Sequence, residues 1–196
     1  LSILSIFLPV VFLIIFSVTS LVAQQKVAMR CLQISKDFLA RSEWTNACAQ
    51  AELGTVYDDS ISDLWYVSAE AKYRSGQKPA QVLPLVITAL EKNNWVDNNK
   101  DNARLLYARL LCDTNDYYGA LKQLDTAPMI YSAEAEYIRI LSYYHIGTEE
   151  SYSKAREKLS VVSKLFPNDN EKSKEIEKTL RERLELANFE IVDGKY

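Results

Sequence analysis

Two hydropathy patterns divide the chain. From Leu1 to Gln25 no residue is charged, and Ile3 to Phe16 is almost continuous Ile, Leu, Val and Phe around Pro9. From residue 26 to 188 apolar residues recur instead at intervals of three and four, the spacing that lines one face of an α-helix. Nine such stretches follow one another, beginning with Val27, Cys31, Ile34 and Phe38 and with Trp44, Ala47, Cys48 and Ala51. The next are marked by Leu64, Val67 and Ala71, by Val82, Val86 and Ala89, by Ala103, Leu106 and Leu110, and by Tyr117, Ala120 and Leu124. Ala133, Tyr137, Ile140 and Tyr144 mark the seventh, Ala155, Leu159 and Val162 the eighth, and Ile176, Leu180 and Leu184 the ninth. Strict alternation, the mark of a half-buried strand, is absent until the strand-like residues of Phe189 to Tyr196.

Helix punctuation falls between these stretches. Ser60-Ile61-Ser62-Asp63 and Asn168-Asp169-Asn170-Glu171 each set a capping oxygen three residues before an acid, which predicts a helix start. Gly76 and Gly147 close helices, Pro79 opens one, and Pro128 and Pro167 forbid continuation. Pro84 falls in the first turns of a stretch, where a missing N–H costs little, so a kinked helix is expected there. Asn93 to Lys100 is the longest polar gap.

The uncharged N-terminal stretch ends in Ser17 to Gln25, small and polar, with Ala23 placed as the last residue of a removable leader. This predicts a secretory signal peptide over 1–23. The competing reading is an uncleaved membrane anchor, because about 20 apolar residues span a bilayer. Either takes the remainder out of the cytoplasm. Cys31 follows Met29-Arg30, so no lipid attachment site is expected.

Composition narrows the chemistry. The 23 Lys and Arg nearly balance the 26 Asp and Glu, a net charge of −3, which excludes a nucleic-acid sleeve. Five Gly and five Pro in 196 residues are too few for a many-turned β sandwich. Cys31, Cys48 and Cys112 form no Cys-x-x-Cys, so zinc and redox readings fail. Cys31 with Cys48 is the pair best placed for a disulfide, but three small hydrophobes in the core is the simpler expectation. His145 is the single histidine and sits at a helix end. No phosphate loop, nucleophile elbow, metalloprotease motif or calcium loop is present in the sequence. No catalytic residue, metal or cofactor is therefore expected.

The stretches pair off with a period. Val82, Ala120 and Ala155 take equivalent places in successive pairs, 38 and 35 residues apart. Tyr73 and Tyr143 stand near the ends of first helices. Tyr117 to Ala120 and Tyr152 to Ala155 repeat Tyr-x-x-Ala, Ala89-Leu90 forms a further matching pair, and Pro167 closes the last unit. In these residues the chain resembles the tetratricopeptide repeat family, firmly from Ile61 to Pro167 and by extension on the flanks. The resemblance implies an all-α fold of antiparallel helix pairs stacked as a short right-handed superhelical solenoid over residues 24–188. A two-helix unit of this size cannot bury both apolar faces alone, so stacking would complete its core.

The resemblance also implies a concave groove lined by the first helix of each pair. It would turn Arg74, Asn102, Arg109, Glu134, Tyr137, Tyr144 and His145 toward a bound protein or peptide. Tyr73, Tyr107 and Tyr143 are expected in the core. The family's carboxylate-gripping groove uses Lys and Asn where this chain has Leu105 and Arg109, which argues against capture of a peptide C-terminus. The ninth stretch, with Glu177 four before Arg181 and Lys178 four before Glu182, reads as a solvated closing helix or a charged docking surface. Residues 189–196 read as a linker or the start of a further domain. The expected function is a non-catalytic interaction scaffold, exported to the periplasm or cell envelope of a bacterium. It would bind another protein and no nucleic acid, and touch the membrane only through residues 1–23 if these are retained. The alternative is a helical accessory domain of a larger envelope-assembly protein or enzyme whose functional domain follows residue 196.

Overall fold

Apolar residues at intervals of three and four become helices wherever the structure describes them. The computed structural model describes residues 3–97, 99–126 and 128–165, together with Lys178 and Glu182. These comprise eight α-helices and no strand: α1 (Ile3–Ala40), α2 (Trp44–Tyr57), α3 (Ser62–Arg74), α4 (Pro79–Lys92), α5 (Lys100–Asp113), α6 (Tyr117–Asp125), α7 (Ala133–Ile146) and α8 (Glu149–Leu165). The class is all-α. The ninth expected helix, its Asn168 start signal and the 189–196 tail lie outside the described residues. Only the Lys178–Glu182 pair, at 4.0 Å, falls within them.

The first expected helix does not start near residue 26. α1 runs unbroken from Ile3 through Ala23 to Ala40, so the uncharged stretch and the first amphipathic one form a single element. Among the residues whose side chains are described, which begin at Val22, no helix is long and apolar enough to cross a membrane.

The chain divides into two units, Leu1–Ala103 and Arg104–Tyr196, with the division inside α5. In the first, α1 packs on α2, α2 on α3 and α3 on α4, and α3 also meets α1. The core gathers Ala28 and Leu32 of α1, Ala51 of α2, and Ile61, Leu64 and Val67 at the start of α3. Gly54 marks the closest approach. A Cβ there would lie 2.5 Å from a Leu64 methyl and 3.1 Å from the Cys31 Cβ, so any larger residue would push the buried Leu64 side chain aside where α2 settles between α1 and α3. α4 starts on Pro79, buries Val82, Val86 and Ala89, and keeps its helix through Pro84.

In the second unit α6 packs on α7 and α7 on α8. Ile140, Ala155, Leu159 and Val162 form its core, with Tyr137, Tyr143, Tyr144 and Tyr152 half-buried against it. Asp116 caps α6 by accepting from the Gly119 N–H at 2.9 Å, and Ser132 caps α7 by accepting from Ala135 at 3.1 Å. Thr148 and Ser151 cap α8 reciprocally, each backbone N–H donating to the other's hydroxyl. Gly76 and Gly147, at φ of 85° and 74°, supply the left-handed residues that follow α3 and α7.

Val82, Ala120 and Ala155, the small residues that carry the period, are fully buried. Leucine at either alanine adds volume that a close-packed interior cannot take without off-rotamer side chains or helix shifts. Ala120→Leu and Ala155→Leu are each expected to cost about 1–3 kcal/mol in a urea melt. Unchanged midpoints for both would contradict this register.

Two expectations need correction. Ser60 does not cap α3: the N-cap is Ile61, without a side-chain bond, and the Ser60 hydroxyl donates to Asp58 at 2.6 Å. The acid of that motif, Asp63, is occupied elsewhere. Tyr73, Tyr107 and Tyr143 are half-buried rather than interior, as suits a side chain with an apolar ring and a polar tip.

Candidate interaction surface

Each unit fixes an irregular segment with buried polar side chains, and these segments set what the surface displays. In the first unit the polar gap after α4 is tied to the start of α3. Asp63, 0% exposed, accepts from the Val96 N–H at 2.7 Å and from the Asn99 amide at 2.9 Å. Ser62, also buried, exchanges two bonds with Asn94: its N–H donates to the Asn94 carbonyl at 3.0 Å, and its hydroxyl accepts from the Asn94 N–H at 2.9 Å. Lys92 reaches Asp59 at 2.6 Å and Lys36 reaches Asp97 at 2.8 Å. These charged contacts are exposed and contribute little, whereas the buried acceptors of Ser62 and Asp63 would be costly to leave unmet.

In the second unit two arginines hold the segment between α6 and α7. Arg104 donates to the carbonyls of Gln123, Thr126 and Pro128 at 2.7–3.1 Å. Arg139 is 1% exposed and donates to the carbonyls of Leu124 and Ile130, both at 2.9 Å, to Asp125 at 2.8 Å and to Glu136 at 2.6 Å. Lys158 of α8 completes the charge balance at Glu136, 3.0 Å away. A planar guanidinium with five donors suits several fixed acceptors better than an ammonium would. The segment so held leaves Met129 and Tyr131 exposed on either side of buried Ile130.

The expected binding residues distribute between the units. Arg74 and Asn102 belong to the first. Arg74 pairs with Glu70 at 2.6 Å and lies 5.8 Å from the Trp44 ring centroid, and Asn102 donates to Asn99 at 3.4 Å. The other five belong to the second unit. Arg109 of α5 pairs with Glu134 of α7 at 2.7 Å, both partly exposed. Tyr137 and Tyr144 lie half-buried against the α7–α8 core, and His145 is exposed at the end of α7.

The rings there form one cluster. His145 stacks on Tyr117 with centroids 4.8 Å apart and planes within 8°. Tyr144 meets His145 edge-on at 5.1 Å and Tyr152 at 6.0 Å. Burial raises the Tyr117 phenol above its usual range, with nearby Cys112 adding to the effect. Tyr117 and Tyr152 stand in the sequence as repeat markers, and the structure adds both to this cluster. Arg104, Arg139 and Glu136 carry no expectation from the sequence pattern, and Asp63 carries only that of a local helix start. The available signal was a charge set inside an apolar run, as in Ile138-Arg139-Ile140 and Ala103-Arg104-Leu105.

No cluster of three or more His, Cys, Asp or Glu fit to hold a metal occurs among the described residues. Cys31, Cys48 and Cys112 are free thiols, so the Cys31–Cys48 disulfide is not formed. Cys31 is buried as expected. Cys48 and Cys112 are only half-buried, beside the hydroxyls of Ser68 and Ser142 at 3.7 and 3.9 Å. Burial pushes all three above the usual thiol range. They stay protonated at neutral pH, so alkylation by iodoacetamide is expected to be much slower in the native protein than after unfolding, and to rise with pH later than for free cysteine. Rapid native labelling at pH 7 would contradict this.

No protein-family model matches the chain, and no solved structure matches it. An uncharacterized protein of Treponema pallidum (strain Nichols) is 32% identical over 126 residues, covering 64% of this chain and 16% of that protein. The chain thus spans a small part of the length of this relative.

Proposed function

We propose that the protein is a non-catalytic interaction scaffold of the bacterial cell envelope, built of tetratricopeptide-like helix pairs that bind a partner protein or peptide along their first helices. The observation that carries this reading is the ring cluster of Tyr117, Tyr144, His145 and Tyr152. Rings held against one another lose little freedom on binding and offer large contact area, which is why Tyr is enriched at binding hot spots. Arg109 and Glu134 add a partly exposed ion pair that a partner's charges can exchange with. Sequential packing of α1 to α4, with α3 also on α1, supports the repeat reading, and the uncharged stretch before Lys26 supports export.

The relative in Treponema pallidum carries most of its length outside the matched region. That favours a second reading, in which the helical pairs are an accessory arm of a longer envelope protein.

Crosslinking with mass spectrometry in native cells tests the first reading. The double variant Arg109→Ala, Tyr137→Ala is expected to keep its helical circular dichroism and to reduce partner crosslinks about tenfold or more. Undiminished crosslinks from the folded variant would refute this surface assignment.

A further inference from the structure

The first unit is most apolar on its surface at the level where α1 gains its first charges. Six large apolar side chains are exposed among its described residues, and five of them, Val22, Val27, Leu53, Val56 and Tyr57, lie there. Val56 is 79% exposed. Chain direction explains the grouping. α2 returns alongside α1, so that the position of a Gly54 Cβ falls 3.1 Å from the Cys31 Cβ, and Gln25 shares a cleft of about 450 Å³ with Thr55 to Ser60. Leu53, Val56 and Tyr57, spaced three and four apart, occupy one face of α2, while Ala47, Ala51 and Gly54 carry its contacts to the core. Val56 stands almost clear of the unit's own packing, while Leu53 and Tyr57, at 43% and 40% exposure, are partly covered and still present apolar surface.

We infer that this apolar rim is a bilayer-docking surface, seated among lipid headgroups and the upper acyl chains. The argument for lipid as the occupant is continuity. α1 is one helix from Ile3 to Ala40, and the uncharged stretch passes into the rim without a linker. At about 1.5 Å per residue, Val22 and Val27 stand only ~8 Å apart along the axis. Where an anchored helix leaves the bilayer, the apolar residues of its emerging turns and of the helix end beside it meet the headgroup region, a depth that tyrosine favours. Lys26 and Arg30 are exposed beside the rim and fit anionic headgroups; of the acids near it, Glu52 is paired with Lys72, Asp59 with Lys92, and Asp58 accepts from the Ser60 N–H and hydroxyl. The inference rests on residues 1–23 being retained as an anchor, which the proposed function leaves open beside cleavage. It does not depend on the ring cluster.

The full chain reconstituted in phosphatidylcholine and phosphatidylglycerol vesicles tests it. Val56→Trp places a reporter on the rim, and Tyr118→Trp places one on the second unit as control; both keep the three native tryptophans, so the difference from the parent isolates each reporter. With acyl chains brominated just below the headgroups, the rim reporter is expected to lose about half of its added emission or more, and the control little. A rim reporter quenched no more than the control overturns the inference, as do crosslinked dimers joined through Leu53 or Val56, which would make the rim a self-association face. Flotation separates the premises. A chain that does not float with the vesicles sinks the anchor reading and the docking surface together, while a chain that floats with an unquenched rim sinks only the docking surface. Partner crosslinks lost in Arg109→Ala, Tyr137→Ala report on the proposed function independently of both.

Discussion

Replacing Arg139 with alanine is expected to destabilise the second unit by about 3–5 kcal/mol, the cost of stranding a buried charge whose partner is removed. The side chain is 1% exposed, and its guanidinium satisfies two backbone carbonyls and two carboxylates across α6, α7 and the segment between them. Without it, Glu136 keeps only Lys158, and the Leu124 and Ile130 carbonyls lose a charged donor. Whole-domain stabilities are only about 5–15 kcal/mol, so the loss should shift a urea midpoint strongly. Arg139→Lys sharpens the test. An ammonium presents a point charge and cannot serve four fixed acceptors at once, so it should recover less than half of the loss. A change below about 1 kcal/mol for the alanine variant would mean that the network is not what holds this segment.

The second large effect is expected at Asp63. Asp63→Ala removes a fully buried carboxylate that accepts from the Val96 N–H and the Asn99 amide, both brought from 33 residues or more along the chain. Two charge-assisted bonds are lost and a backbone N–H is left without its acceptor, for a cost of about 2–4 kcal/mol. Asp63→Asn keeps one acceptor oxygen but turns an amide donor toward a donor, so it should fall between alanine and the parent. Exchange of the Val96 amide should quicken in both variants before the helices open. If the Val96 amide exchanges no faster in Asp63→Ala than in the parent, the carboxylate is not its anchor.

Sequence periodicity located the helices well because it reflects which face of each must leave water, and α2 to α8 follow the expected stretches closely. It located turns where backbone chemistry forces the outcome, as at Gly76, Pro79 and Gly147. It failed where a polar residue has a choice of partner. Ser60 and Asp63 have the spacing of a local cap, yet Asp63 turns to a segment more than 30 residues away, a partner that no local pattern encodes. The same limit hid Arg104 and Arg139. Their neighbours mark the core face of a helix, and charge on that face reads as an irregularity until the carbonyls it meets are known. For the candidate surface, Arg109 with Glu134 and Tyr144 with His145 are brought together. The stacking of Tyr117 on His145 depends on how α6 crosses α7, which the spacing of either helix leaves undetermined.

Buried polar side chains lock the irregular segment of each unit in place: Ser62 and Asp63 in the first, Arg104 and Arg139 in the second. Hydrogen–deuterium exchange followed by mass spectrometry on the native protein tests it most directly, read on peptides spanning 93–97 and 128–132. The amides of Asn94 and Val96, and that of Ile130, which donates to the Leu124 carbonyl at 3.1 Å, are expected to exchange as slowly as those of the flanking helices. Exchange of both segments within seconds, at the pace of an unstructured chain, would contradict it.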